Sequence, residues 1–214
     1  MALHRSDRSL VSALVFPEAF FADRPQSSVG AGWVVLAVAG LHVLGYYGLL
    51  AVAAVIVAIK QPTFTVLENL ADLGGWTLAQ GVLGGFVIIL NWLVVSAILH
   101  AAVRLRHGRG DFGDTVAVVG WSSPTTLLAL LVSGFGFLVA VSRNPIVMSF
   151  DATLAAVAPV VSLVGTVGGL LTLLWLGHIW PTALHHTHEI DRGYAAQAAA
   201  IALGICALVV FVGV

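Results

Sequence analysis

Eight histidines stand beside only nine lysines and arginines in this chain of 214 residues. Six of them, His100, His107, His178, His185, His186 and His188, fall at or just beyond the ends of apolar runs. In the segment Leu184-His185-His186-Thr187-His188-Glu189, His185 and His188 are three residues apart and share one face if the segment is helical. Glu189 lies one step round. Neutral imidazoles suit zinc, iron or copper. A zinc site, however, wants three or four convergent ligands, and a di-iron oxygenase needs several such clusters where this chain has one. His100 and His178 both end apolar runs on one side, so they could also pair as axial ligands of a haem. The weak metal-ligand candidates are therefore His100, His178, His185 and His188. The plain alternatives are histidines hydrated at the headgroup level or acting as a pH sensor. His42 lies well inside an apolar run, where an ionisable residue raises a functional question by default. Its plain reading is a neutral imidazole hydrogen-bonded to a neighbouring helix.

Other chemistry is absent from the pattern. There is no Gly-x-Ser-x-Gly and no phosphate-binding loop. Ser133 has no companion histidine in its own run. The lone Cys206 can form no intramolecular bridge. No catalytic residue and no cofactor is expected.

The elements that must carry these residues follow from composition. Hydrophobic residues make up 59% and charged residues 9%, against about 25% charged in ordinary soluble domains. So few charges cannot clothe a water-soluble surface. The net charge of −1 offers no basic field to nucleic acid. Five stretches without Asp, Glu, Lys or Arg run over 29–59, 73–99, 115–142, 152–177 and 193–214. Each exceeds the roughly 20 residues a helix needs to cross a bilayer. They are apolar all round, without the alternation of a barrel strand. The expected fold is all-α, a polytopic bundle of five transmembrane helices spanning 29–214, preceded by a segment of residues 1–28.

Charge sets the expected orientation. The N-terminal segment holds Arg5, Arg8 and Arg24, the second loop Arg104, Arg106 and Arg109, and the fourth Arg192. The other side holds only Lys60 and Arg143. Short basic loops stay in the cytoplasm, which places the N-terminus inside and the C-terminus outside. The N-terminal segment lacks the clean apolar core and small-residue cleavage site of a signal peptide. Its Leu10, Val11, Leu14, Val15 and Phe16 suggest an amphipathic stretch on the inner leaflet. Five of the six tryptophans lie toward run ends as interface anchors, and Trp92 sits deep in the second run.

Packing signals are clear. Gly81 and Gly85 form one GxxxG pair and Gly165 and Gly169 another, a spacing that lets helix backbones approach closely in lipid. Ala195, Ala198, Ala199 and Ala202 repeat the theme. Transport is the weaker reading, because every Asp and Glu lies outside the five runs. A solute path would have to use His42, Asn91, Ser122, Ser123 and kinks at Pro124 and Pro159.

One set of motifs is distinctive. Pro17-Glu18-Ala19-Phe20-Phe21 precedes the first run, and Leu99-His100-Ala101-Ala102-Val103-Arg104-Leu105 ends the second. The Gly-rich turn Gly108-Arg109-Gly110-Asp111-Phe112 follows, then Phe112-Gly113-Asp114-Thr115 running to Pro124. Trp175-Leu176-Gly177-His178 and Arg192-Gly193-Tyr194-Ala195 complete the set. From about Pro17 onward the chain resembles the YIP family, the Ypt-interacting proteins, in its prokaryotic branch. That resemblance implies five spans, a cytoplasmic N-terminus and no catalytic residues. Eukaryotic members bind Rab-type GTPases through a soluble N-terminal domain that this chain does not match, so GTPase binding does not carry over with the resemblance.

The expectation is a YIP-like scaffold or adaptor in the plasma membrane, serving membrane organisation or membrane-protein trafficking. Arg104, Arg106 and Arg109 would meet anionic lipid headgroups, and the partners would be membrane lipids with a membrane protein or a second copy. The alternatives are a histidine-dependent metal or haem protein and a small-solute transporter.

Overall fold

The computed structural model describes residues 10–22, 27–61, 63, 65–71, 73, 75–144 and 150–212. Arg5, Arg8 and Arg24 lie outside the described residues. The order is α1 (Leu10–Val15), α2 (Pro17–Ala22), α3 (Ser28–Lys60), α4 (Val66–Ala71), α5 (Gly75–Arg104), α6 (Phe112–Ser122), a single 3-10 turn (Ser123–Thr125), α7 (Thr126–Arg143), α8 (Phe150–His188) and α9 (Arg192–Val212). No strand occurs among the described residues, and the protein is all-α.

Four helical segments are long and apolar enough to cross a membrane: Ser28–Lys60, Thr77–Arg104, Phe112–Arg143 and Phe150–His188. The fifth expected span corresponds to α9, whose described apolar part, Arg192–Leu208, is shorter. At about 1.5 Å per residue, the 39 residues of α8 extend roughly 58 Å. That is nearly twice the hydrocarbon thickness of about 30 Å, so α8 must tilt or project beyond it.

The third apolar run is two helices rather than one. Pro124 supplies no N–H, and a 3-10 turn separates α6 from α7. Local hydroxyls satisfy the carbonyls around the break. Ser122, Ser123, Thr125 and Thr126 each donate to the carbonyl three residues back, at 2.7–2.9 Å. Such re-satisfaction is what lets proline stand inside lipid. The fourth run, by contrast, stays helical through Pro159, and α8 continues beyond its end through Pro181. The histidine run is therefore part of a helix.

Helix ends are capped by sequence. Ser27 accepts from the Gly30 N–H. Asp111 and Asp114 form a reciprocal capping box at the start of α6, each side chain taking the other's backbone N–H. At the end of α5, His107 takes a left-handed conformation (φ 60°). The Gly108 N–H then reaches the Val103 carbonyl and the His107 N–H the Arg104 carbonyl, a Schellman closure. Gly108 is needed there because a Cβ would fall 2.4 Å from Val103.

Two cores result. The amino end, where α1, α2 and the ends of α5 and α8 meet, buries Leu99, Val103, Val118, Ile179, Trp180 and Leu184. The alanine face of α9, Ala195, Ala198, Ala199 and Ala202, is buried in the same cluster. The distal end gathers Leu50, Val57, Leu73, Val141, Phe150 and Val157. There Lys60 caps α7, its ammonium donating to the carbonyls of Val141, Ser142 and Asn144, where the helix dipole favours a cation.

Candidate functional site

The described contacts place His100 and His188 around one hydroxyl. His100, near the end of α5, has Nδ1 at 3.2 Å from Thr115 Oγ1. His188, the last residue of α8, has Nε2 at 3.0 Å from the same oxygen. The two rings lie 6.2 Å apart, and Phe112 meets the His100 ring edge-on at 5.5 Å. A threonine hydroxyl has one proton, so it can donate to one imidazole while accepting from the other. With both imidazoles donating to it, that proton would lose its acceptor in the chain.

The junction is closed from above. His188 and Thr115 are fully buried. The loop after α5 folds over them, and the Arg109 N–H donates to the His188 carbonyl at 3.1 Å. Gly110 presses on the imidazole so closely that a Cβ there would sit 2.2 Å from Nδ1. That Nδ1 has no hydrogen-bond partner of good geometry. Glu189 turns the chain with φ 53°, and its carboxylate pairs with Arg109 at 3.4 Å.

The other histidines stay apart from this pair. His178 is exposed, and the ten residues separating it from His188 on α8 put it about 15 Å away along the axis. His185 directs Nδ1 to the Ile190 carbonyl at 2.6 Å, with the His186 ring 4.9 Å from its own. Among the described residues, no group of three or more His, Cys, Asp or Glu is placed to hold a metal. His42 bonds the Val38 carbonyl of its own helix at 2.9 Å rather than a neighbouring helix.

The three arginines take different partners. Arg104 reaches the Gly108 carbonyl at 3.4 Å. Arg106 lies over the Tyr194 ring, 5.1 Å from its centroid, in the geometry of a cation–π contact. Arg109 holds Glu189. All three are exposed.

The N-terminal helices dock against the same end. Pro17 and Phe21 of α2 are buried, and Phe20 meets Trp121 at 5.4 Å. Glu18 pairs with Arg192 at 2.7 Å, and the Trp175 indole donates to the Leu14 carbonyl at 3.1 Å. Val11, Val15 and Phe16 point outward, an amphipathic arrangement. Beneath them, Trp180 donates to Ser122 Oγ at 2.9 Å. Trp92, deep in its span, donates to the Val116 carbonyl at 2.9 Å.

The glycine pairs occupy two settings. At Gly81 a Cβ would meet Tyr46 and Tyr47 at 2.8 Å, and at Gly85 it would meet Val43 at 2.6 Å. Both lie in the α3–α5 contact. Gly165 and Gly169 instead line a cavity among α3, α5, α7 and α8. Their neighbour Gly168 makes the close approach to α7, where a Cβ would fall 3.0 Å from the Ala129 backbone.

Sequence reasoning missed the role of Thr115 and of Gly110. Both stood in quoted motifs, but a hydroxyl shared by residues 15 and 73 positions away has no local signature.

No curated protein and no solved structure matches the chain. A family model does: the Yip1 domain matches residues 11–214, and so takes in α2 with its Pro17-x-x-Phe20-Phe21, the Gly-rich loop and the junction at His188. The chain belongs to the Yip1 domain family and is a multi-pass integral membrane protein.

Proposed function

We propose that the protein is a non-enzymatic scaffold or adaptor of the prokaryotic YIP type in the plasma membrane, serving membrane organisation or membrane-protein trafficking. In this reading α9 is a fifth span, the N-terminus is cytoplasmic and the amino end faces the cytoplasm. The observation that carries it is the docking of α1 and α2 over a closed amino end. Pro17 and Phe21 seal the bundle, the Gly108–Asp111 loop covers His188, and what is left outside is a rim of Arg104, Arg106, Arg109, Glu189 and Arg192. Such a surface suits binding rather than turnover, because its buried polar groups are enclosed.

The test is photo-crosslinking in intact membranes from a probe at position 105. Reproducible adducts to a membrane protein or to a second copy are expected. Reversing Arg104, Arg106 and Arg109 to glutamate should abolish them. An unchanged adduct pattern after reversal removes this surface from the proposal. Elemental analysis of tag-free protein checks the metal alternative, and stoichiometric iron, copper or zinc would overturn the scaffold reading.

A further inference from the structure

The distal half of the bundle has an open cavity of about 770 Å³ among α3, α5, α7 and α8. That falls within the roughly 300–1,000 Å³ of small-molecule sites. Its lining is graded. Tyr46, Thr77, Gln80 and Asp151 form a polar portion, while Leu50, Phe137, Leu154 and Val161 form an apolar one. Gly165 and Gly169 line the passage without contributing a side chain.

Charge in the cavity is one-sided. Asp151 is the sole charged residue on the described lining, and no described salt bridge includes it. Lys60, at the same end, is committed to the α7 carbonyls. Tyr46 donates its one hydroxyl proton to the Thr77 carbonyl at 3.0 Å, and the same oxygen lies 3.2 Å from the Gln80 side-chain amide. Ser133 and Thr166 return their hydroxyl protons to their own helices, so the depth of the cavity presents little hydrogen-bonding demand. An occupant must therefore be apolar along α8, polar near Asp151, and positive where it meets the carboxylate.

We propose that this cavity binds a phospholipid with an ammonium headgroup. The ammonium pairs with Asp151, the phosphate and glycerol oxygens meet Gln80, and an acyl chain lies along Leu154, Val161 and Gly165. A polar residue facing a cavity within a membrane bundle marks a binding path, and the carboxylate selects against anionic lipids. The proposal stands on the cavity alone and does not depend on the scaffold reading of the amino end.

The test is native mass spectrometry of delipidated protein in detergent, titrated with phosphatidylethanolamine or phosphatidylglycerol. The wild type is expected to retain phosphatidylethanolamine preferentially. Gly165→Leu puts a side chain into the cavity, where a Cβ has only Ser133 Oγ nearby, at 3.7 Å, and should lose the adduct. Gly84→Leu is the control, since a Cβ there has nothing within 4 Å, and should keep it. Asp151→Asn should keep binding but lose the preference between the two lipids. If Gly165→Leu does not fold, Thr166→Leu takes its place. Equal retention of both lipids by the wild type, or retention by the cavity-filling variant, overturns the proposal.

Discussion

At the amino end, Trp180 is 2% exposed and its one N–H goes to Ser122. At the distal end, Tyr46 donates to the Thr77 carbonyl from the wall of an open cavity. Both residues are amphipathic aromatics placed where helices meet, and both are satisfied. What differs is the volume left between the helices. The amino end closes it with glycines at points of backbone approach and with two short helices packed over the top. At the distal end Gly165 and Gly169 face the cavity instead, and a Cβ at Gly165 would have only Ser133 Oγ within 4 Å. The same residue type thus serves opposite ends, and only the neighbour a Cβ would meet separates the two uses.

The sharpest way to break this comparison is to add side chains at both kinds of glycine. At Gly120 a Cβ would lie 2.6 Å from that of Ala31 and 3.1 Å from its carbonyl oxygen, where α6 and α3 meet. Gly120→Val should cost about 3 kcal/mol or more and show as loss of monodisperse protein on gel filtration. Gly165→Ala, beside the cavity, should stay within about 0.5 kcal/mol. Equal losses would erase the distinction between a closed and an open end. Truncation gives the next largest effect. Trp180→Ala should cost about 3–5 kcal/mol in thermal unfolding, while Leu49→Ala on the cavity wall should cost no more than about 2 kcal/mol.

Polar deletions come third. Thr115→Val removes the hydroxyl shared by His100 and His188, and leaving the buried His188 nitrogen without that partner should cost about 1–3 kcal/mol. The imidazole nitrogen NMR shifts of both histidines should move together. Ser133→Ala removes only a bond back to Ala129 of the same helix, and its melting temperature should be nearly unchanged. The smallest effects lie outside the bundle. The Glu18–Arg192 pair is exposed, with side chains 65% and 67% accessible, so Arg192→Ala should cost under about 1 kcal/mol. In α4, hydrogen bonds from Thr65 hold the Glu68 carboxyl below its ordinary range. A lowered folded-state pKa stabilises above the unfolded value and is lost as pH falls through the folded one. Amide exchange in α4 should therefore stay slow through mildly acidic pH and quicken only below the normal carboxylate range.

Much of the fold was legible because lipid imposes a simple rule. A helix that hides its backbone must be long and apolar; the run at 29–59 sits within α3, and the run at 73–99 overlaps α5 from Gly75 onward. The alanine face of α9 was readable for the same reason, since small residues spaced by three and four share a face. The break at Pro124 was less readable. Its hydroxyls satisfy the carbonyls so locally that hydropathy runs on uninterrupted. The continuation of α8 past Gly177 was obscured by Pro181 and the polar histidines. Those features end most helices, yet packing against α2, α6 and α9 holds this one. The pairing of His100 with His188 was unreadable, because it depends on a hydroxyl from a third helix. So was the cavity, since Gly165 and Gly169 share the spacing of Gly81 and Gly85 and differ only in what faces them.

One rod joins these two worlds. The 39 residues of α8 begin at Phe150, one residue before Asp151 on the cavity lining, and finish at His188 under the Gly110 loop. A rigid body that long acts as a lever, so a small tilt that admits or releases a guest among the distal helices must displace the far tip. There, Gly110 leaves the His188 ring no slack to absorb it. Any such movement would have to appear as motion of the Arg109 loop, and the rim of charges would carry a mechanical report of what occupies the opposite half of the membrane.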